Sequence, residues 1–406
     1  MIPALTYLPV YIPSMLLRFS LILTLYWLAA HAAYAEPYVP ASDTQVLERL
    51  PFKANDPVAR ELAQLRATLQ RNPRDVGVAV ALGRRYFELV AAEGDPRYIG
   101  YAQAALAPWW DLPAPPIEVQ VLRASLRQFR HDFSGALVDL NQALTRDPGQ
   151  AQARSLRAII HIVQARYSDA RSDCLALRGV AHELIALGCE SMVNGLTGHA
   201  AEAYAALSQM QARHPEASRE ERLWVMTRLA EMAQRLGRRD AAEAHFKQAL
   251  ALDITDTFLL AAYADFLLDQ GRASEVVALL KDKTRSDTLL LRLVFAEQAL
   301  KLPTAKTTAA TLADRFHAAQ LRGDTVHQQE EARFALHVQH DAKKALALAL
   351  ENWKVQLEPR DARIVLEAAL AAKEPAAAQP TLRWLSESGI EDATLRRLAE
   401  QLKALS

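Results

Sequence analysis

Several things are missing from this 406-residue chain, and each absence narrows its role. Positive and negative side chains balance at 47 each, leaving no formal net charge. A nucleic-acid binder needs a broad basic field, and this chain does not supply one. Glycine is scarce, at 14 residues. No segment alternates apolar and polar residues with the period of two that marks a strand. There is no phosphate-cradling glycine loop, no Gly-x-Ser-x-Gly and no His-Glu-x-x-His, so the common signatures of nucleotide, acyl-transfer and zinc-peptidase chemistry are excluded. Cysteine is limited to Cys174 and Cys189, whose separation carries no metal signature. The expectation is a chain that is not an enzyme and uses no cofactor or metal.

What is present is a repeat. His131-Asp132-Phe133-Ser134-Gly135-Ala136-Leu137 is followed by Ala165-Arg166-Tyr167-Ser168-Asp169-Ala170-Arg171, then Gly198-His199 to Ala203, Gly237-Arg238 to Ala242 and Gly271-Arg272 to Val276. The closing positions 136, 170, 203, 242 and 276 recur at intervals of 34, 33, 39 and 34. Such a period implies stacked helix pairs, each packed on its neighbours, rather than one globular core. Pairs are expected near 76–107, 117–146, 150–177, 181–213, 219–252, 256–283, 286–321, 325–356 and 360–387. A capping helix over 391–405 places Leu395, Leu398, Leu402 and Leu405 on one stripe. Asp56-Pro57 starts the array with an N-cap acceptor and a proline at the first helical position.

The first 35 residues are different. Met15-Leu16-Leu17-Arg18 leads into an apolar run from Phe19 to Ala30, and Ala33-Tyr34-Ala35 precedes Glu36-Pro37. A positive charge, a short apolar core and a small-x-small site describe a secretory signal peptide cleaved after Ala35. The alternative is an uncleaved anchor in the inner membrane formed by residues 16–35, for which the run is somewhat short. The stretch before Met15 has three prolines and no Lys or Arg, so Met15 competes with Met1 as the start. Residues 36–55 read as an extended lead-in, and the solenoid as 56–406. Export puts Cys174 and Cys189 where a disulfide persists. They fall on two helices expected to pack antiparallel, so a bridge and two buried thiols are both open readings.

The residues in this frame resemble tetratricopeptide repeats. Leu82-Gly83-x-x-Tyr86 matches that family's first helix, and Asp132 to Ala136 through Ala143-Leu144 and Asp147-Pro148 matches its second helix and terminating proline. Gly237-Arg238 through Phe246, Ala249-Leu250 and Asp253 matches again, with Ile254 in place of the proline, and His214-Pro215 closes another unit. The likeness covers 76–283, is clearest over 117–283 and fades beyond 286. The first unit carries an insertion near Gly94-Asp95-Pro96. The resemblance implies an all-α, right-handed superhelix of stacked antiparallel pairs with a concave groove for a peptide or protein. The family's groove positions correspond to Val121, Ser125 and Gln128; Ser155, Ile159 and Ile162; Thr227, Glu231 and Gln234; and Ala261, Asp265 and Leu268. They lack the Lys/Arg/Asn set with which some members hold a terminal carboxylate.

Three further features stand out. Arg123 and Arg157 are each followed sixteen residues later by an aspartate, Asp139 and Asp173, which the repeat frame sets opposite them as internal ion pairs. Trp109-Trp110 lies in a proline-rich segment that interrupts helix formation, so its rings either anchor a partner or plug the gap left by the insertion. His337-x-x-His340-Asp341, with His327 upstream, lacks a third fixed ligand and is not expected to hold metal. The leading expectation is an exported adaptor in the cell envelope that binds a protein or peptide and touches the membrane only through its leader or a membrane-bound partner. The alternative is an accessory subunit that positions an envelope polysaccharide synthesis or modification enzyme.

Overall fold

The computed structural model describes Ser42, residues 55–324, Val326 and residues 328–405. The expected signal peptide, nearly all of the expected lead-in and His327 lie outside the described residues. Met1–Arg60 and Glu61–Ser406 form separate units, and α1 (Pro57–Arg71) runs across the boundary. Every other helix belongs to the second unit.

That second unit is all-α among the described residues and is built as a stack of helix pairs. In chain order they are α2 (Val76–Glu93) with α3 (Arg97–Ala105), the one-turn α4 (Ala107–Trp110), α5 (Ile117–Phe129) with α6 (Phe133–Arg146), α7 (Ala151–Val163) with α8 (Tyr167–Ala176), and α9 (Glu183–Gly195) with α10 (Ala200–Arg213). Next come α11 (Arg219–Arg235) with α12 (Arg239–Leu250), α13 (Thr257–Leu268) with α14 (Ala273–Leu280), and α15 (Asp287–Ala299) with α16 (Ala305–Leu321). Then follow α17 (Gln328–His337) with α18 (Ala342–Trp353), α19 (Pro359–Ala372) with α20 (Gln379–Ser388), and the terminal α21 (Ala393–Lys403). Short turns force the two helices of each pair to run antiparallel. None of the described helices is long and apolar enough to cross a membrane.

One backbone device makes most of these turns. A residue in the left-handed region ends or follows the first helix: His131, Ala165, Gly198, Gly237, Gly271, Lys301, His340 and Lys373 all have positive φ. In seven of the eight turns the next N–H donates to the carbonyl five residues back, as in Asp132 to Arg127, Arg166 to His161, Arg272 to Leu267, Leu302 to Glu297 and Glu374 to Ala369. This closure satisfies a carbonyl that the helix end would otherwise leave unpaired. Side-chain caps then start the next helix, with Asp132 accepting from the Gly135 N–H and Asp341 from the Lys344 N–H.

Packing within the pairs follows the small-against-large pattern of the sequence. Ala124, Ala136, Ala158, Ala170, Ala230, Ala242 and Ala264 are fully buried, letting backbones approach, while Phe133 and Phe246 fill the adjoining space. Burying a side chain such as Phe246 stabilises by about 1.5–3 kcal/mol. Two expectations need correction. Leu405 is 52% exposed because α21 stops at Lys403, so only Leu395, Leu398 and Leu402 form its buried stripe. The Trp-Trp segment does form a helical turn, α4, because Pro108 lies in its first turn, where a missing N–H costs no hydrogen bond.

The stack also closes on itself. Thr257 on α13 donates to the Ala92 carbonyl on α2, 165 residues away. A Cβ on Gly94 would lie 2.4 Å from that of Ser286. On the other side, the Leu357 N–H donates to the Val163 carbonyl. The Trp384 indole donates to the Tyr167 hydroxyl across 217 residues, and Glu391 accepts from the Ala200 N–H across 191. Segments that a short stack would leave apart are therefore in contact, and the first helices of the pairs enclose a lumen.

Candidate functional site

The lumen is a cavity of about 460 Å³ walled by first helices: α2, α5, α7, α9, α11, α13, α15, α17 and α19, with α21. Its chemistry changes along the chain. The early helices present Phe87, Val90, Phe129, Ile162 and Met192, and the later ones present six arginines and eight carboxylates. On α11, Arg228, Glu231 and Arg235 follow at i, i+3 and i+7 and so share one helix face. Phe258 lies between two cations, with the Arg228 guanidinium 4.4 Å and that of Arg360 4.9 Å from its ring centroid. Such contacts stabilise by roughly 0.5–2 kcal/mol each.

Most of the charges are pinned to one another across the lumen. Asp265 of α13 accepts from Arg292 of α15 at 2.7 Å and from Arg333 of α17 at 2.8 Å. Burial alone would raise its pKa, yet the two guanidinium groups hold it well below the usual carboxylate range. Arg363 of α19 reaches Asp269 at 2.7 and 2.8 Å and also donates to Glu367 at 2.7 Å. Against the opposing effect of burial, His337 and Arg363 bring Glu367 down to about 2. Beside them, burial and the charge of Glu358 raise Asp361, which accepts from the Asn352 amide at 2.9 Å. Solvent reaches this network, because the Arg360 side chain keeps 47% of its surface while paired to Glu358 at 2.8 Å.

Among the six lumen arginines, Arg235 is the exception. It lies on the lumen wall, its Nε is buried without a hydrogen-bond partner, and no carboxylate among the described residues closes to ion-pair distance. Burial lowers its pKa, and Glu231, Asp392 and Glu358 only partly offset this through space. A half-buried guanidinium whose Nε is desolvated and unpaired, and which has no carboxylate partner, can receive an anionic group.

The structure separates the groove positions taken from the repeat resemblance. Ile162, Glu231, Gln234, Ala261 and Asp265 line the lumen. Leu268 lines a second cleft together with Asp265 and Asp269. Val121 and Ser125 are core positions, not wall positions, and the Ser125 hydroxyl donates to its own helix at the Val121 carbonyl. Thr227 is likewise buried and bonds to the Leu223 carbonyl. Gln128, Ser155 and Ile159 are half-buried, with Ile159 packed on the core around Phe133 and Leu140. The arginines that set the lumen's character were missed because a charged stripe on a first helix reads as a solvated face. The available signal was Arg228 and Arg235 flanking the predicted wall position Glu231.

Arg123 pairs with Asp139 at 2.6 Å and Arg157 with Asp173 at 2.6 Å. Arg123 also does something the spacing did not reveal. Its Nη1 donates to the carbonyls of Trp109, Trp110 and Leu112, tying the Trp-Trp segment to the next pair. Trp109 is buried, and Trp110 is half-buried with the Arg127 guanidinium 5.9 Å from its ring. Cys174 and Cys189 are disulfide-bonded, linking α8 to α9. His337 Nε2 lies 3.4 Å from the Glu367 carboxylate, whereas His340 is exposed at the left-handed turn.

Among known proteins, no family model and no curated protein matches the chain. Among solved structures it is similar to a tetratricopeptide repeat protein from Parabacteroides merdae, with 15% identity over 59% of this chain and 92% of that one and a TM-score of 0.45. It is also similar to the TPR domain of P58(IPK), with 15% identity over 86% and 98% of the respective chains and a TM-score of 0.22. Both likenesses are distant, and the fold stands on the helix pairs themselves.

Proposed function

We propose that this protein is an exported, non-catalytic interaction scaffold whose lumen grips an anionic group carried by a protein or peptide partner. The observation that carries this reading is Arg235, a half-buried cation with a buried, unpaired Nε in a cavity where the other arginines are ion-paired. Holding a partly desolvated charge without a counter-charge is costly, and the anionic group of a ligand would complete it. The Arg228–Phe258–Arg360 stack offers a flat cationic surface beside it, and the apolar wall of α2, α5 and α7 offers room for uncharged neighbours. The disulfide between Cys174 and Cys189 favours an oxidising compartment, in keeping with the expected leader.

Screening a random-peptide library against the purified protein tests the binding claim. Bound peptides should carry a carboxylate or phosphate, and Arg235→Met should weaken them about tenfold or more, the worth of one charge-assisted hydrogen-bond pair. Equal binding by wild type and Arg235→Met, or turnover of a small molecule, would overturn it. N-terminal sequencing of the protein as the cell delivers it tests export, with Glu36 the expected first residue.

A further inference from the structure

We propose that His182, His214 and Glu216 form a binding site for a divalent transition-metal ion of the zinc type, apart from the lumen. The three come from two helix ends and the turn between pairs. His182 caps the start of α9, His214 caps the end of α10, and Glu216 follows in the turn leading to α11. Their ligand atoms all lie within 4.8 Å of one another. The two imidazoles meet edge to face at 5.1 Å between centroids.

Each donor is already oriented. His214 Nδ1 lies 2.8 Å from Glu216 Oε1, and His214 Nε2 lies 3.6 Å from Glu183 Oε2. His182 Nδ1 lies 3.7 Å from Glu221 Oε1. A histidine that ligates metal through one nitrogen usually gives its other N–H to a carboxylate, and Glu183 and Glu221 stand where such partners belong. Glu221 is itself fixed by a reciprocal capping box with Ser218 at the start of α11.

Tetrahedral zinc bonds of about 2.0–2.2 Å place neighbouring donors roughly 3.4 Å apart. The donors therefore need to draw in by up to about 1.4 Å, which exposed side chains can do by rotation: Glu216 keeps 66% of its surface and His182 35%. Two imidazoles and one carboxylate suit zinc, nickel, cobalt or copper, whereas calcium and magnesium prefer all-oxygen sites. The site also accounts for an irregularity in the repeat. The 39-residue interval from Ala203 to Ala242 contains the turn that supplies His214 and Glu216. A bound ion would strap both open ends of the α9–α10 pair together and to the next pair.

The test uses untagged protein stripped with chelator and then equilibrated with zinc alone. Elemental analysis should find one zinc per chain, cobalt substitution should give the visible absorption of a low-coordinate nitrogen–oxygen site, and zinc should raise the Tm. His182→Ala and His214→Ala should each weaken zinc by about tenfold or more, while His337→Ala/His340→Ala binds as wild type. Circular dichroism establishes that each variant is folded. Substoichiometric zinc in wild type, or undiminished affinity in the His182→Ala/His214→Ala double variant, would overturn the proposal.

Discussion

The pairs up to α14 and those from α15 onward share one geometry and differ in the residues that make it. In the first group the left-handed turn position is held mainly by glycine, at 198, 237 and 271; in the second it is Lys301, His340 and Lys373. The backbone closure around it is the same, five residues back, for Arg272 and for Leu302. The repeat is therefore defined by a conformation, and glycine is only its least costly occupant. The charges differ as well. In the first group an Arg–Asp pair sixteen residues apart orients a single hairpin, as at Arg123–Asp139. The later pairs are instead tied to α13 and to one another: Asp265 of α13 joins its helix to α15 and α17 through Arg292 and Arg333, and Arg363 of α19 reaches back to Asp269 at the end of α13 across 94 residues.

If that contrast is right, breaking the later network should cost most. Asp265→Ala removes the carboxylate that Arg292 and Arg333 share, leaving Arg292 only Glu330 at 3.6 Å, and a destabilisation of about 3–5 kcal/mol is expected, read as a lower denaturation midpoint. A companion Arg333→Met should recover part of the loss, whereas simple additivity of the two would mean that the residues do not act as one network.

Acid should next strike the network that joins α13 to the later pairs. Asp265 and Glu367 have pKa values below those of the unfolded chain, so folded protein binds fewer protons there. The stability they contribute is complete above about pH 4.5 and is lost as pH falls toward 2. Glu367, at about 2 against an ordinary 4.5, accounts for at most about 3 kcal/mol of this. Hydrogen exchange followed down the pH scale should show α13, α15, α17 and α19 opening before α5 and α6. Simultaneous opening of all six helices would remove the distinction.

Overpacking addresses the earlier pairs. Ala136 is fully buried between α5 and α6, and Ala136→Leu should cost about 1–3 kcal/mol. An unchanged midpoint would show that the small position has slack.

How much of this was legible depended on the kind of signal. Helix pairs could be read because Ala136, Ala170, Ala203 and Ala242 recur with the period of the turn, and the Arg–Asp pairs because sixteen residues is a fixed distance across one hairpin. The lumen could not be read. It depends on contacts such as Thr257 with Ala92 and Trp384 with Tyr167, which join segments by the cumulative curvature of the stack and leave no local pattern. Val121 and Ser125 were placed on the wall by a family frame that cannot tell how deeply a given first helix is covered. The His182–His214 pair escaped notice for a related reason: its members sit 32 residues apart, before the first and after the second helix of one hairpin, and only its folding brings them together.

The smallest expected effect tests the turn conformation itself. Ala165, Lys301 and His340 occupy the left-handed region at φ of 55°, 53° and 56°, where a side chain costs about 1–2 kcal/mol relative to glycine. Glycine gives back about 0.4–1 kcal/mol through the extra freedom of the unfolded chain. Lys301→Gly and His340→Gly should therefore each raise stability by about 0.5–1 kcal/mol, and the same gain is expected for Ala165→Gly in the earlier group. Gly237→Ala and Gly271→Ala, whose added Cβ would meet nothing within 4 Å, should lose a similar amount through backbone strain alone. Equal and opposite changes in the two groups, measured by denaturant midpoint at constant m, would show that a single conformational requirement runs through the whole stack; a loss at Lys301→Gly would mean that its side chain contributes something the glycine turns do without.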